Sequence, residues 1–287
     1  DGSYQVAIGY EAMKDTTTGT GNTMVGYRCG HNHTTGANNT SLGYAALYKI
    51  TEASSNTAIG HNACSEITDG GHNNVAVGTG ALTWCNNGDD NVAVGSGAGL
   101  DLTTGNRNTI IGKDAGANIT TGGMNVLIGK SAGTTQTTQN ANTFIGDYCG
   151  WSSSGYNNTF VGQTSGYGLT SGYNNTGIGK DAGYTGSPSG NITTANNIIC
   201  IGNDNNTASY VKVDWTVTSD RRDKTDITPF THGLSWINKL NPVTYRWDNR
   251  SDYSDDLSVV PDGTHKKPKL NLGLIAQDEL EVEKDHG

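Results

Sequence analysis

The chain is dominated by one short pattern of polar, β-branched and small residues that recurs about every 17 positions. A glycine marks each copy, and the intervals between successive glycines are 17, 17, 17, 18, 17, 17, 17, 17, 16, 17 and 23 positions. The residue directly before the glycine is always Ile, Val or Leu, and Thr or Val stands three residues before it in nearly every copy. The twelve glycines are Gly9, Gly26, Gly43, Gly60, Gly78, Gly95, Gly112, Gly129, Gly146, Gly162, Gly179 and Gly202.

Each copy of the pattern predicts one short β-strand followed by a bend. The segment Asn-Thr/Val-x-Ile/Val alternates with period 2, which places its β-branched residues on one face of a strand. The glycine permits a sharp bend or a close approach of two backbones. A small residue three positions later, such as Ala46 or Ala115, suits a crowded interior. No copy has enough apolar residues to bury itself, so the copies must stack as the rungs of a solenoid.

The low apolar content of the chain indicates that the core is shared between chains. Only 33% of the residues are hydrophobic, and there are three Phe. One or two buried residues per strand are few for a monomeric solenoid, so we expect three chains to turn their Ile/Val rows toward a common axis. The predicted fold is therefore all-β, a trimeric β-solenoid or β-roll shaft. Twelve rungs at the ~4.8 Å spacing of neighbouring strands give a rod of roughly 58 Å.

A sharp change in composition predicts a domain boundary at Ser219. The segment from Ser219 to Gly287 is under a quarter of the chain, yet it holds 10 of the 18 Lys and Arg and 13 of the 27 Asp and Glu. Such a change is typical of a boundary between domains. An alternating apolar segment directly before it predicts a strand. We therefore predict a repeat shaft over residues 1–209, a linker strand over 210–218 and a separate domain over 219–287.

Three motifs in the third segment resemble a known family. Residues 219–227 are SDRRDKTDI, residues 233–247 are GLSWINKLNPVTYRW, and residues 273–279 are GLIAQDE. Their succession resembles the self-cleaving intramolecular chaperone of phage tailspikes and tail fibres, the endosialidase-chaperone family. The resemblance implies a small α+β domain that drives trimerisation and then releases itself. Chaperones of this family continue past the third motif into long helices, whereas only residues 280–287 follow here, so we expect a truncated domain.

The resemblance also assigns a catalytic pair. It implies that Ser219 is the nucleophile, that Lys224 is the general base, and that the bond cut is Thr218–Ser219. A serine hydroxyl is a weak nucleophile until a neutral base removes its proton. Burial and the neighbouring cations Arg221 and Arg222 favour the neutral form of Lys224. The implied activity is that of a single-turnover serine autopeptidase without a cofactor.

The repeats themselves resemble those in the head domains of trimeric adhesins. The segments NVAVG at 74–78 and 91–95 carry this resemblance, which implies a left-handed β-roll, although the adhesin repeats are shorter than those of this chain. The predicted protein is a phage tail-fibre or tailspike segment for host attachment, located in the virion and assembled in the host cytoplasm. The alternative is a trimeric surface adhesin or structural spacer with an inactive chaperone domain.

Aromatic residues concentrated in the last rungs are candidates for receptor binding. Trp151, Tyr167, Tyr173 and Tyr184 could stack on sugar rings, and the alternative is that they fill gaps at the trimer surface. The expected partners are two further copies of the chain and a host cell-surface receptor such as a glycan.

Several classes of function are excluded by composition. A net charge of −9 argues against binding of nucleic acid, and the absence of an 18-residue apolar run argues against membrane insertion. His31 and His33 could surround a trimer axis, but we interpret them as parts of a surface loop and predict no metal site. The cysteines form no CxxC pair and are predicted to be buried free thiols. They are Cys29, Cys64, Cys85, Cys149 and Cys200.

Overall fold

The computed structural model describes residues 3–207, 240, 242–246, 248, 260 and 262–273. The chain divides into two compact units, Asp1–Tyr210 and Val211–Gly287. The first unit is a parallel β-solenoid, and the described residues contain no helix. The predicted all-β solenoid shaft is therefore confirmed, whereas the predicted linker strand over 210–218 lies outside the described residues.

The shaft contains one strand per repeat, and all twelve strands form a single sheet. The strand order follows the chain, and neighbouring strands are parallel, as in the pairing of Thr109 with Val126 and of Ile111 with Ile128. We number each rung after its strand. The strands are β1 (Val6–Ile8), β2 (Thr23–Val25), β3 (Thr40–Leu42), β4 (Thr57–Ile59), β5 (Val75–Val77), β6 (Val92–Val94), β7 (Thr109–Ile111), β8 (Val126–Ile128), β9 (Thr143–Ile145), β10 (Thr159–Val161), β11 (Thr176–Ile178) and β12 (Ile199–Ile201).

From β2 to β12, each three-residue strand turns its middle residue into the core and its two outer residues away from it. Ala93, Ile110 and Leu127 are middle residues and are fully buried. Val94 and Ile111, which directly precede their glycines, are 36% and 37% exposed. The chain therefore encloses a core of its own, which differs from the expectation that three chains share one core. The Ile/Val row lies on the outer face because side chains alternate along a strand.

A ladder of buried asparagines connects the rungs beside the sheet. The side chain of Asn108 donates to Asn91 Oδ1 at 3.0 Å and to the Gly122 carbonyl at 2.9 Å. Its own Oδ1 accepts the backbone N–H of Asn125 at 3.0 Å. The asparagine thus pairs its amide group with three neighbours in the dry interior, where an unpaired polar group would be costly. The ladder comprises Asn22, Asn39, Asn56, Asn74, Asn91, Asn108, Asn125, Asn142, Asn158 and Asn175.

In most rungs, two positions share the core volume between them. Where the middle strand residue is large, as at Phe144, the residue four positions after the glycine is itself a glycine, Gly150. Where the middle residue is small, as at Ala76, the other position holds a larger residue, Leu82. A Cβ atom built on Gly150 would lie only 2.3 Å from the Phe144 ring. The exchange is not strict, because in rung 6 both positions are small and Leu82 of rung 5 packs beside Gly99, which keeps the interior closely packed.

Candidate functional sites

In the second unit, a small antiparallel sheet joins two of the three motifs that resemble the chaperone family. It consists of β13 (Val243–Tyr245) and β14 (Asn271–Gly273), with Val243 opposite Gly273. Arg246, next to β13, donates to the carbonyl of Pro268. The second motif and the start of the third are thus brought together in space, although they are well separated in the sequence.

The predicted catalytic residues lie outside the described part of the chain. This applies to Ser219, to Lys224 and to Thr218 on the other side of the predicted cleavage site, and also to Arg221 and Arg222. The Ser–Lys pair and the cleavage site therefore stay predictions.

The four aromatic residues selected for sugar stacking belong to two separate stacks. The rings of Trp151 and Tyr167 are parallel within 9° with centroids 5.3 Å apart, and Tyr184 lies tilted against Tyr167 at 5.0 Å. Tyr173 stacks instead on Tyr156, at 5.1 Å and 2°. The sequence analysis did not select Tyr156. Its position one repeat before Tyr173, at the equivalent place in the rung, could have indicated that the two rings are in contact. Each stacked contact covers one face of each of its two rings.

A third aromatic stack, also missed in the sequence, lies on the outside of the first four rungs. Tyr10, Tyr27, Tyr44 and His61 directly follow their glycines, and their ring centroids are 5.2, 5.0 and 5.2 Å apart in that order. The Arg28 guanidinium lies 5.3 Å from the centre of the Tyr27 ring. All three tyrosines are exposed. The recurrence of an aromatic residue at the same place in successive repeats was the signal that could have revealed this stack.

The outer face of the sheet carries a long apolar stripe, formed by the residues one and three positions before each glycine. Exposure reaches 59% at Ile8 and 48% at Ile178. Three residues of strand by twelve rungs give a face about 10 Å wide and roughly 58 Å long. This face, on the order of 600 Å² in total, is made of apolar side chains interspersed with threonines. The apolar members are Val6, Ile8, Val25, Leu42, Ile59, Val75, Val77, Val92, Val94, Ile111, Val126, Ile128, Ile145, Val161, Ile178, Ile199 and Ile201.

The two histidines considered as metal ligands lie apart. His33 is fully buried, its Nδ1 lies 3.1 Å from Thr16 Oγ1, and its Nε2 lies 2.9 Å from the Gly36 carbonyl. Burial lowers the pKa of His33. His31 is partly buried, with Nε2 3.3 Å from the Glu11 carboxylate. The interpretation of both as loop residues was wrong for His33, which fills an interior place. No cluster of three metal-ligating side chains occurs among the described residues.

The five cysteines are buried free thiols, as predicted. Burial raises the pKa of the Cys64 thiol well above its usual value and raises the pKa values of Cys85 and Cys149 to about 12. These three thiols therefore act as small apolar side chains rather than as nucleophiles or ligands, since reactivity requires the thiolate.

Comparison with known protein families matches the C-terminal part of the chain, under a quarter of its length. Residues 219–287 match the family described as chaperone of endosialidase. Searches of curated proteins and of solved structures give no match. Within the described ranges, there is no helix of sufficient length and apolarity to cross a bilayer. The domain match and the solenoid of repeated rungs together fit the predicted resemblance, a phage tail-fibre-like protein with an intramolecular chaperone domain.

Proposed function

We propose that this chain is a segment of a homotrimeric phage tail fibre or tailspike that serves host attachment. Its chaperone domain drives trimerisation and then releases itself by autocleavage. The fibre belongs to the virion and is assembled in the host cytoplasm. The observation that carries the proposal is the combination, on one chain, of the endosialidase-chaperone match at residues 219–287 and the exposed apolar stripe along the shaft.

Two further copies of the chain are the occupants that fit the apolar stripe best. The rung interior already has its own core and its own asparagine hydrogen bonds, so the stripe is not needed to fold the single chain. Burying it on another surface is favourable because apolar surface leaves water. Its side chains recur once per rung, and a parallel copy of the same solenoid repeats at the same spacing over the full length. Three such copies around one axis would cover all three stripes.

The first test of this assembly is a charge placed in the stripe. Wild-type protein is expected to have the mass of three chains by light scattering. Ile111→Asp should reduce it to one chain because three carboxylates would lose water near the axis without a partner. Ile111 is 37% exposed in the single chain, so the solenoid itself should survive, as circular dichroism can check.

The exposed Asn118 in the same rung supplies a matched control. Asn118→Asp adds the same charge away from the stripe and should leave the trimer intact. A monomeric wild type would rule out the proposed trimer. A stable Ile111→Asp trimer would show that the stripe does not form the interface.

A removable chaperone suits a shaft made of similar rungs. Three such chains can pair one rung out of step at little cost in free energy, because each rung meets an equivalent surface. A domain that aligns the chains before the shafts pack would prevent this error. Cleavage after assembly would then prevent the trimer from dissociating by the reverse of its assembly pathway and would make it kinetically stable.

In the proposed cleavage, Lys224 accepts the proton of the Ser219 hydroxyl. The Ser219 oxygen attacks the carbonyl carbon of Thr218, the bond from that carbon to the Ser219 nitrogen breaks, and the nitrogen takes the proton from Lys224 as the acyl group moves from nitrogen to oxygen. Water then hydrolyses the resulting ester and separates the two segments.

The second test is the loss of self-cleavage in variants of this pair. Wild-type protein should lose the whole segment 219–287, which an intact mass spectrum detects. Ser219→Ala and Lys224→Ala should both stay uncleaved, and Ser219→Ala should remain a folded trimer. Cleavage should slow as the pH falls, because protonated lysine cannot accept a proton.

Ser235→Ala changes a serine in the second motif and serves as the control that cleaves normally. Processing of both Ser219→Ala and Lys224→Ala at the wild-type rate would contradict the proposed pair. A wild-type trimer that never cleaves would favour the alternative, a trimeric surface adhesin or structural spacer with an inactive chaperone domain.

Receptor contact is assigned to the aromatic residues of the last rungs, Trp151, Tyr167, Tyr173 and Tyr184. Stacking covers one face of these rings, so a glycan would meet the ring surface that stays exposed and the tyrosine hydroxyls. These groups lie outside the core on a rigid scaffold, where binding residues are commonly found. If whole-cell binding is unchanged after all four residues are replaced by serine, they do not form the receptor-binding site.

A further inference from the structure

One interior column of the shaft changes from aliphatic to polar at two neighbouring rungs. The column consists of the residue seven positions after each glycine. In rungs 8 and 9 it holds Gln136 and Ser153, which are both fully buried. Within the described residues, Gln136 Nε2, Gln136 Oε1 and Ser153 Oγ have no hydrogen-bond partner. Fully buried aliphatic members of the same column are Ile50, Ile67, Leu102, Ile119 and Leu169.

His33 and Ser165 are interior polar side chains that differ from this pair because they have protein partners. His33, in the same column, contacts Thr16 and Gly36 through its two ring nitrogens. Ser165 Oγ, in rung 10, donates to the Ala182 carbonyl at 3.2 Å. Buried donors and acceptors in proteins are nearly always paired with protein or with ordered water. The three atoms of Gln136 and Ser153 therefore require a partner that the surrounding chain does not supply.

The place beside Ser153 is also less filled than its neighbours in the column. A serine side chain has two heavy atoms fewer than the leucine at position 169 in the next rung. The large ring of Phe144, in the same rung as Ser153, packs over Gly150: a Cβ atom built there would lie 2.3 Å from two of its ring carbons. The Ser153 N–H donates to the Gly150 carbonyl at 3.1 Å, so Gly150 and Ser153 belong to the same turn. Unpaired polar atoms and a side chain smaller than the leucine of the next rung occur together here, and a buried water needs both polar partners and room.

We infer that the shaft binds one or two water molecules inside the core, between rungs 8 and 9. One water donates to Gln136 Oε1 and bonds to Ser153 Oγ. A second accepts a hydrogen bond from Gln136 Nε2. This arrangement gives all three atoms a partner and needs only groups of the single chain. It does not depend on the proposed function.

A crystal structure of the full chain, at a resolution that reveals ordered water, tests this site directly. Density is expected at about 3 Å from the Gln136 amide and Ser153 Oγ. Ser165 serves as an internal control, because its hydroxyl is already paired and should have no water beside it. A direct Gln136–Ser153 hydrogen bond without water density, or a Gln136 side chain turned to solvent, would overturn the inference.

Thermal unfolding of variants gives an independent measurement. Gln136→Met and Ser153→Ala each remove one side of the hydration site, so their shifts in Tm should not add when the two are combined. Ser165→Ala combined with Gln136→Met should give additive shifts, since these side chains share no water. Additive shifts for Gln136 and Ser153 as well would count against a water that links them.

Discussion

Gly112→Ala is expected to unfold the shaft around rung 7. The φ angle of Gly112 is +133°, which side-chain-bearing residues rarely adopt, and an added Cβ would lie 2.4 Å from the carbonyl oxygen of Gly129. That oxygen belongs to the backbone of the next rung, so no side-chain rotation can relieve the contact. We expect a loss of more than about 4 kcal/mol in the free energy of unfolding, a size reserved for severe changes. Denaturant unfolding followed by circular dichroism measures it.

Gly190→Ala is the matched control for this prediction. Gly190 also has a positive φ, +65°, but nothing lies within 4 Å of an added Cβ. Only the backbone conformation is then disfavoured, which costs about 1–2 kcal/mol. Equal losses at Gly112 and Gly190 would show that the close approach of the two backbones is not what makes the glycine necessary.

The second large effect is a coupling between Phe144 and Gly150. Phe144→Ala should cost about 3–5 kcal/mol, because it leaves a cavity in the core. Gly150→Leu alone should also destabilise the shaft, since the new side chain would collide with the Phe144 ring. Combined, the two changes reproduce the arrangement of Ala76 and Leu82, where leucine is accommodated at a φ of +49°. We expect the double variant to be more stable than the sum of the single losses by about 2 kcal/mol.

A double-mutant cycle measured by denaturant unfolding tests this coupling. Phe160→Ala with Gly116→Leu is the control, because these two positions are three rungs apart and their losses should add. Additive losses for Phe144 and Gly150, within about 0.5 kcal/mol, would contradict the volume exchange between the two positions.

The number and order of the strands could be predicted from the sequence because each rung is built from one contiguous repeat. The face that forms the core could not. Ile111 and its equivalents make a uniform apolar row, which is the stronger periodic signal. The true interior position holds Ser41, Ala76 or Phe144 in different rungs, because its volume is balanced elsewhere in the rung. Such a compensated position shows no regular pattern until the packing is known.

The candidate sites of the shaft could also be predicted from the sequence only where equivalent positions of successive repeats carry the same kind of residue. Stacking of Tyr156 on Tyr173 follows from their equal places in neighbouring rungs, so spacing alone could have indicated it. The burial of His33 could not be predicted in this way, because its column is otherwise largely aliphatic. The pair Ser219 and Lys224 was found by resemblance, since spacing between a serine and a lysine does not fix a geometry.

The asparagine ladder should make the shaft resist tension unequally along its length. The backbone N–H of each asparagine from Asn39 to Asn175 donates to the amide oxygen of the preceding one, and Ile198 N–H closes the series. Each amide oxygen accepts from the following rung, so all these hydrogen bonds point in the same direction along the shaft. Hydrogen bonds aligned in this way polarise and strengthen one another. At the other end, Gln5 replaces asparagine, and its Oε1 has no partner among the described residues. A pull along the axis should therefore open the first rung before any rung inside the ladder.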